Sequence, residues 1–319
     1  MRARLIKETG AETDMKQENA FLKKYVKIIV VLAVLAGSSS GIYGRLISAS
    51  ALVIGFWRLT MGLPFFAIPV FTKYRAELLT VSKHDKALSA LAGLFLFLHF
   101  FTWFSAVKMT NIASASVIGA LHSMVVLLIT VLVFKQRVSR QEVMGIVLAL
   151  LGGAVVAGLD YSQLSSGDFA GDMMAFLCAV FMGLYFAVGN EVRKRVNGGV
   201  YVFMVFFSCW VCFSIACLAS RTPVLGYPAR DYLLLLGVTI TCQIGAHAAF
   251  NLCMGYVSSL YVSAIESGDP VFATILAALI LGQKPTSWQI AGCVVVVAGL
   301  LYYNYSANKR ALAQGGGQS

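Results

Sequence analysis

AIESGDPVFA, residues 264–273, lies within a stretch from Leu260 to Leu281 that is otherwise almost entirely apolar. It carries two carboxylates three residues apart, Glu266 and Asp269, followed at once by Pro270. An apolar helix should avoid both features, because charge is costly in hydrocarbon and proline breaks the hydrogen-bond ladder. These three residues are therefore the first candidates for a functional site.

The composition indicates that this helix lies in a membrane. Hydrophobic residues make up 59% of the chain and charged residues 12%, with a mean hydropathy of +0.79, whereas soluble domains carry about 25% charged residues. The net charge of +11 comes from short basic clusters between apolar runs. This is the pattern of membrane topology, and it argues against nucleic acid as a partner.

Ten apolar runs of about 20 residues predict ten transmembrane helices. They lie near residues 25–46, 51–72, 86–108, 111–133, 141–159, 170–190, 200–220, 231–255, 258–281 and 287–306. The loops are too short for a soluble domain, and no run alternates like a barrel strand. The first run has no cleavage site after it, so we expect a retained helix. The fold class is an all-α membrane protein.

Loop charges predict the orientation. With the amino terminus inside, inside segments hold 19 Lys and Arg residues and outside loops hold 4. Since positively charged loops stay cytoplasmic, we expect both termini in the cytoplasm, with tails at 1–24 and 307–319.

The chain matches itself at a constant separation of 147 residues. Examples are Ser116 with Ser263, Gln136 with Gln283, Gly145 with Gly292 and Gly152 with Gly299. The offset aligns the fourth and fifth helices with the ninth and tenth, which predicts five-helix repeats at 25–160 and 161–306. An odd number of helices inverts the second copy, as in transporters that use alternating access. A duplication kept only for packing is the alternative.

The sequence resembles the drug/metabolite transporter superfamily, specifically the EamA-type ten-helix transporters. The resemblance is carried by GDMMAFLCAVFMGLYFAVGNEVRKR at 171–195 and by SAIESGDPVFATILAALILGQKPTSWQIAGCVVVVAGLLYY at 263–303. It implies an exporter or exchanger of small metabolites, often amino acids, in a bacterial inner membrane. Organellar relatives exchange nucleotide sugars or phosphorylated sugars. Two departures are Gln283, where an acid is usual, and His122-Ser123, where a proline is frequent.

Glu266 and Asp269 share one helix face near mid-depth. Two carboxylates so close in a low dielectric favour protonation of at least one near neutral pH, which suits proton coupling or the binding of a substrate amine. Pro270 frees the carbonyl of Glu266 and predicts a hinge there. The alternative is a kink that only packs, with carboxylates satisfied by neighbouring hydroxyls.

Two histidines are further candidates for substrate binding. His122 aligns with Asp269 at the 147-residue offset, although a lone histidine in an apolar helix is often only a structural donor. His99 lies among aromatics in the third helix, where Trp103 is placed to stack on a planar or cationic substrate. The alternative for that helix is aromatic packing alone.

Other polar residues follow helical spacing. Gln243, His247 and Asn251 form a stripe on the eighth helix, which either lines a cavity or joins helices. GSSSGIYG at 37–44 combines hydroxyls with glycines and is read either as cavity wall or as close packing. The remaining substrate-binding candidates from these segments and the sixth helix are Ser39, Ser40, Tyr43, Tyr185 and Asn190.

Basic and small residues near the helix ends predict scaffold roles. Arg58 and Arg45 are expected to extend to the outer interface, the alternative being an outer gate or a site for a substrate carboxylate. The glycines at 145, 152, 292 and 299 give the fifth and tenth helices small faces for tight contact within the chain or in a homodimer.

The leading hypothesis is a secondary active transporter that exports or exchanges a small polar metabolite, such as an amino acid, by proton antiport in the plasma membrane. An uncoupled channel-like permease and efflux of cationic drugs are the alternatives. No HExxH motif is present, so an enzyme is not expected. The seven cysteines lie within or beside apolar runs without ligand spacing, so we expect no metal and no cofactor.

Overall fold

The computed structural model describes residues 2–110, 112–157, 169–281 and 285–315, and every regular element in these ranges is a helix. An all-helical fold is therefore confirmed, as the bilayer requires of a chain that satisfies its backbone polar groups internally. The helices are α1 (Arg2–Gly37), α2 (Ser40–Leu46), α3 (Ala51–Thr72), α4 (Arg75–Thr80), α5 (Lys83–Met109), α6 (Ile112–Ala120), α7 (His122–Leu132), α8 (Arg140–Ala157), α9 (Phe169–Val192), α10 (Gly198–Ala219), α11 (Ala229–Val238), α12 (Ala249–Cys253), α13 (Ser259–Glu266), α14 (Asp269–Leu281) and α15 (Ser287–Gly315), with a π-helical segment (Thr239–Ala248) between α11 and α12.

Eight segments of the described ranges are long and apolar enough to cross a membrane. They are Ala20–Leu46, Ala51–Thr72, Lys83–Met109, Ala115–Leu132, Phe169–Val192, Gly198–Ala219, Ala229–Cys253 and Ser287–Arg310. Each coincides with a predicted run, with ends displaced by a few residues. The other two predicted runs correspond to α8 and to the pair α13 and α14. The count of ten spans stays a prediction.

The two ends of the chain lie on the same side of the molecule. Lys27, at the start of the first span, donates a hydrogen bond from Nζ to Oδ1 of Asn308, at the end of the last, over 2.7 Å. Arg310 pairs with the buried Glu142 at the start of α8, with 3.0 Å between Nη2 and Oε1. The predicted tails continue the helices: α1 begins at Arg2 and α15 ends at Gly315.

Helices α8 and α15 pack through a glycine seam, defined here as Gly145, Gly152, Gly292 and Gly299. A Cβ atom on Gly152 would lie 2.5 Å from the backbone nitrogen of Val296, and one on Gly299 would lie 2.6 Å from that of Ala149. Only glycine allows backbones this close. The predicted small faces therefore meet each other within the chain, and a homodimer stays a prediction.

Three spans are interrupted near their middle. The breaks lie between α1 and α2, between α6 and α7, and between α13 and α14, at residues 38–39, 121 and 267–268. The second and third breaks are followed by helices that begin at His122 and Asp269, which are 147 residues apart. The predicted alignment of these two residues therefore corresponds to equivalent positions in two broken helices.

Local hydrogen bonds stabilise the breaks. Pro270 is the second residue of α14, where a missing N–H costs no helical bond. At the other breaks hydroxyls donate to backbone carbonyls of the preceding turn: Ser123 Oγ to Ala120 over 3.0 Å, and Ser38 Oγ to Val34 over 2.8 Å. Such side chain to backbone bonds compete with a continuous helix. The ninth span is thus divided into two helices instead of bending at Pro270.

Candidate functional site: a polar cavity at the helix breaks

The broken spans, together with α3, α5, α9 and the π-helical segment, line a cavity of about 90 Å³. Since a water molecule needs roughly 10–15 Å³ of such space, the cavity has room for a small polar ligand or several waters. Seven of the residues predicted to act in transport line it: Ser40, His99, Trp103, His122, His247, Glu266 and Asp269. The sequence-based set thus converges from five different spans on one space.

Glu266 is paired with His122 across the two broken helices. Oε2 of Glu266 lies 3.1 Å from Nε2 of His122, and neither atom has another partner among the described residues. Nδ1 of His122 lies 3.0 Å from the carbonyl oxygen of Gly119, which can only accept, so Nδ1 carries a hydrogen. One proton then joins Nε2 and Oε2, either on the imidazole or on the carboxyl.

Asp269 provides the second acid of the cavity. It begins α14 at the break and lines the same space as Glu266. Its backbone carbonyl lies 3.5 Å from the hydroxyl of Ser38, at the break between α1 and α2. Two breaks from distant parts of the chain therefore meet at this residue.

A second pair of histidines, His99 and His247, lies among aromatic rings. His99 contacts Cys178 on α9, with 3.1 Å from Nδ1 to the carbonyl oxygen, and its ring is 5.7 Å from that of His247. His247 stacks edge-on against Phe100 at 4.7 Å, and its Nδ1 is buried with no partner among the described residues. This nitrogen is free to bond to a ligand or to water.

Trp103 is fixed at the cavity wall. Its indole Nε1 donates to Oγ of Ser40 over 2.9 Å, which joins α5 to α2. The hydrogen bond orients the aromatic ring at the cavity. Both residues were predicted to bind substrate, and the structure brings them together.

Arg58 was expected to reach the outer interface, and this expectation is corrected. It is 1% exposed and lines the cavity, with its guanidinium carbon 3.9 Å from the centre of the Phe100 ring. The position of Arg58 in the sequence already argued against the interface. It is seven residues into α3, about 10 Å from the start of the helix at ~1.5 Å per residue, which is too deep to assign its side chain to the surface. Arg45 is exposed, and its Nη2 donates to the carbonyl of Thr110 over 2.5 Å.

Six predicted residues lie near the cavity without lining it. Asn251 donates to the hydroxyl of Tyr185 and, over 2.7 Å, to the carbonyl of His247. Asn190 accepts from the backbone N–H of Ser259 over 3.1 Å and so caps α13. These bonds join α9 to α12 and to α13.

The other three predicted residues that do not line the cavity are Ser39, Tyr43 and Gln243. Ser39 donates to the carbonyl of Ala36 over 2.8 Å, and Tyr43 packs against Gly237. Gln243 is fully buried, and neither amide atom has a partner among the described residues. It lies in the π-helical segment, whose i→i+5 bonds widen the turn. Residues four apart therefore no longer share a face, and of the predicted stripe only His247 lines the cavity.

Among the described residues, no group of three or more His, Cys, Asp or Glu side chains is arranged to hold a metal ion. Gln283, which departs from the pattern of the resembled family, lies outside the described residues. The chemistry that the site offers is that of acids, imidazoles, one guanidinium and aromatic faces.

The sequence is similar to known proteins that are named as transporters or translocators. An uncharacterized transporter of Clostridium kluyveri is 23% identical over 210 residues, covering 65% of this chain and 67% of that protein. Transporter YxxF of Bacillus subtilis, also uncharacterized, is 20% identical over 229 residues, covering 69% and 70%. A triose phosphate/phosphate translocator from non-green plastids of Brassica oleracea is 26% identical over 131 residues, 40% of this chain and 32% of its own length.

A solved crystal structure of another protein has the same fold, with a TM-score of 0.73 over 88% of this chain and 97% of that one. At 18% identity the likeness concerns the fold alone. The sequence model of the EamA-like transporter family matches twice, over residues 25–158 and 169–305. The chain therefore belongs to the EamA-like transporter family and is a multi-pass membrane transporter.

Proposed function

We propose that the protein is a secondary active transporter that exports or exchanges a small polar metabolite, such as an amino acid, by proton antiport. The observation that carries the proposal is the His122–Glu266 pair, whose Nε2 and Oε2 atoms lie 3.1 Å apart at the cavity. An ionisable group at this depth costs at least about 2.5 kcal/mol, so a functional role is the default reading.

The architecture that goes with this function is two inverted five-helix halves, ten spans in all, with both termini in the cytoplasm. Helices that restart at His122 and Asp269, and two matches to the family over 25–158 and 169–305, support it. So does the glycine seam, in which Gly152 meets Gly292 and Gly299 meets Gly145. These two contacts exchange with each other under a 147-residue shift, as a two-fold relation between halves requires.

Proton coupling follows from the charges of the cavity. When the His122–Glu266 pair loses its proton, the cavity gains a negative charge that favours an aqueous opening and a substrate amine. When the pair regains the proton, the cavity closes at a lower cost, because less charge is buried. Asp269 stands beside the pair as the second acid. Substrate and proton then exclude each other, which is the condition for antiport.

The experiment is flux in proteoliposomes loaded with isotopically labelled amino acids. We expect an imposed pH gradient to drive at least one of them through the wild type. Glu266→Gln should reduce gradient-driven flux at least tenfold. Exchange of labelled for unlabelled amino acid, at equal concentrations on the two sides, should remain. Glu191→Gln, at a partly exposed acid that pairs with Lys194, is the control. Full gradient-driven flux in Glu266→Gln would exclude the coupling role.

Three other functions use the same cavity. An uncoupled permease, or an efflux pump for cationic drugs, would also fit the acids, and the first is favoured if flux only equalises concentrations under a pH gradient. Exchange of phosphorylated metabolites is favoured by the likeness to the plant triose phosphate/phosphate translocator. The two cavity acids disfavour a dianion. The likeness to transporters of Bacillus and Clostridium supports the plasma membrane of a bacterium, with the inner membrane as our proposed location.

A further inference from the structure

Arg58 is a buried cation without a counterion among the described residues. It is 1% exposed, it lines the cavity, and it forms no ion pair with a described acidic side chain. Its Nε and Nη2 atoms are buried and have no hydrogen-bond partner. Charged donors left unpaired in a protein interior are costly, so the position requires a compensating function.

The surroundings of Arg58 leave one edge of its guanidinium unused. The guanidinium carbon lies over the Phe100 ring, 3.9 Å from its centre, and is 5.7 Å from the centre of the Phe104 ring. Nε and Nη2 lie together on one edge of the planar group. This edge is the fork that recognises the two oxygens of a carboxylate.

The chain contains an example of the same edge in use. Arg195 donates from Nε and Nη2 to Oδ1 of Asp85, over 3.1 and 2.8 Å, at the start of α5. There the carboxylate belongs to the protein. At Arg58 the same two nitrogens have no such partner among the described residues.

The charges of the cavity restrict what can pair with Arg58. The His122–Glu266 pair with one shared proton is neutral overall, whichever atom holds the proton. Arg58 and an ionised Asp269 then cancel each other. A ligand with one positive and one negative group enters such a cavity without adding net charge, whereas a dianionic phosphate does not.

We propose that Arg58 is the carboxylate-binding residue of this cavity, and that the substrate is a zwitterion whose amine faces Glu266 and Asp269. This rests on the proposed transport function and names the chemical class of its substrate. Phe100 holds the guanidinium plane while the Nε and Nη2 edge binds the carboxylate. Removing the carboxylate from a substrate should therefore lower its binding affinity as much as removing the Arg58 side chain does.

The test uses purified full-length protein and a thermal-shift and titration panel of three sets: free L-amino acids, the matching amides, which lack the carboxylate, and the matching des-amino acids. Inorganic phosphate is a separate arm. For the wild type we expect at least one amino acid to bind ten- to a hundredfold more tightly than its amide. A hydrogen bond to a charged group contributes about 1.5–3 kcal/mol, which corresponds to a change in affinity of this size.

Variants then separate Arg58 from other causes. Arg58→Gln should lower the affinity for that amino acid ten- to a hundredfold, leave the amide unchanged and so bring their ratio near one. Arg58→Lys, which keeps the charge but not the fork, should give an intermediate ratio. Arg45→Gln, at an exposed arginine bonded to Thr110, is the matched control and should keep the wild-type ratio.

Several results overturn the proposal. One is a wild type that binds amides as well as acids, a comparison that needs no variant to fold. Another is a folded Arg58→Gln protein that keeps the ratio. A third is Arg58-dependent binding of phosphate but of no amino acid. If a pH gradient drives transport of a solute whose affinity is the same in the wild type and in Arg58→Gln, this inference fails and the transport function stands. If the Arg58-dependent ratio holds but nothing crosses the membrane, the transport function fails instead.

Discussion

The glycine seam and the cavity are two helix contacts built on opposite principles. In the seam, α8 and α15 approach until a Cβ on Gly152 would lie 2.5 Å from a backbone nitrogen. In the cavity, broken helices meet at His122 and Glu266 and leave polar atoms buried without other partners. The first contact gains from van der Waals packing. The second keeps unpaired polar groups that a stable core avoids.

This difference teaches which residues hold the fold and which perform transport. Changes in the seam should unfold the protein without altering the specificity of whatever remains folded. Changes in the cavity should alter transport while stability stays near the wild-type value. The following predictions test that separation.

The largest effect is expected at Gly152. Gly152→Ala places a methyl group 2.5 Å from the nitrogen of Val296 and 2.9 Å from the carbonyl oxygen of Gly292. Backbone atoms cannot move aside, so we expect a loss of at least about 2–3 kcal/mol in unfolding free energy. The loss is measured by heating the protein in detergent and recording the fraction that remains folded and monodisperse.

The neighbouring glycine supplies the control. A Cβ on Gly153 would lie 3.6 Å from Cγ of Pro270, an ordinary contact. Gly153→Ala should therefore leave the unfolding temperature unchanged or slightly higher, since alanine favours helix. Equal losses in both variants would contradict the assignment of tight packing to the seam alone.

A smaller effect on stability and a clear effect on transport are expected for His122. His122→Gln removes the imidazole that shares a proton with Glu266 over 3.1 Å. We expect pH-gradient-driven flux to fall about a hundredfold, the lower end of what a positioned proton-transfer group contributes to a rate. His84→Gln, at an exposed histidine near the start of α5, should behave as wild type. An unfolded His122→Gln protein would indicate a structural role for the pair.

The smallest effect is expected outside both regions, at Arg195. Its side chain is 46% exposed where it pairs with Asp85. Because solvent screens such a pair, Arg195→Gln should cost less than about 1 kcal/mol of unfolding free energy. Lys194→Gln, at the adjacent exposed lysine, is the reference. A loss comparable to that of Gly152→Ala would mean that this pair, and not the seam, determines stability.

The sequence predicted the fold because its strongest signals are local. Length and hydropathy place apolar runs, and a bilayer admits only helices for such runs. Glu266, Asp269 and His122 could be singled out for the same reason: an ionisable group in an apolar run is conspicuous. The 147-residue offset aligns His122 with Asp269, and both residues begin a helix directly after a break.

The rest could not be predicted because it depends on three-dimensional contacts. Arg58 was assigned to the interface, since depth along a helix does not reveal whether neighbours block the path to water. The i, i+4 spacing of Gln243 predicts a cavity-lining stripe only for an α-helix, and Gln243 lies in the π-helical segment. Asn190 looks like a site residue in sequence, yet it caps α13 from another helix. Its partner is 69 residues away.

The central claim is that the cavity opens to each side of the membrane in turn. The most direct measurement places one cysteine by Ser40→Cys, in a chain whose seven native cysteines have been replaced, and adds a membrane-impermeant thiol reagent to either side. We expect labelling from both sides, with Glu266→Gln shifting it toward one. Glu191→Cys, at the end of α9, should label from one side only. Labelling of Ser40→Cys from one side alone, or from neither, would contradict alternating access.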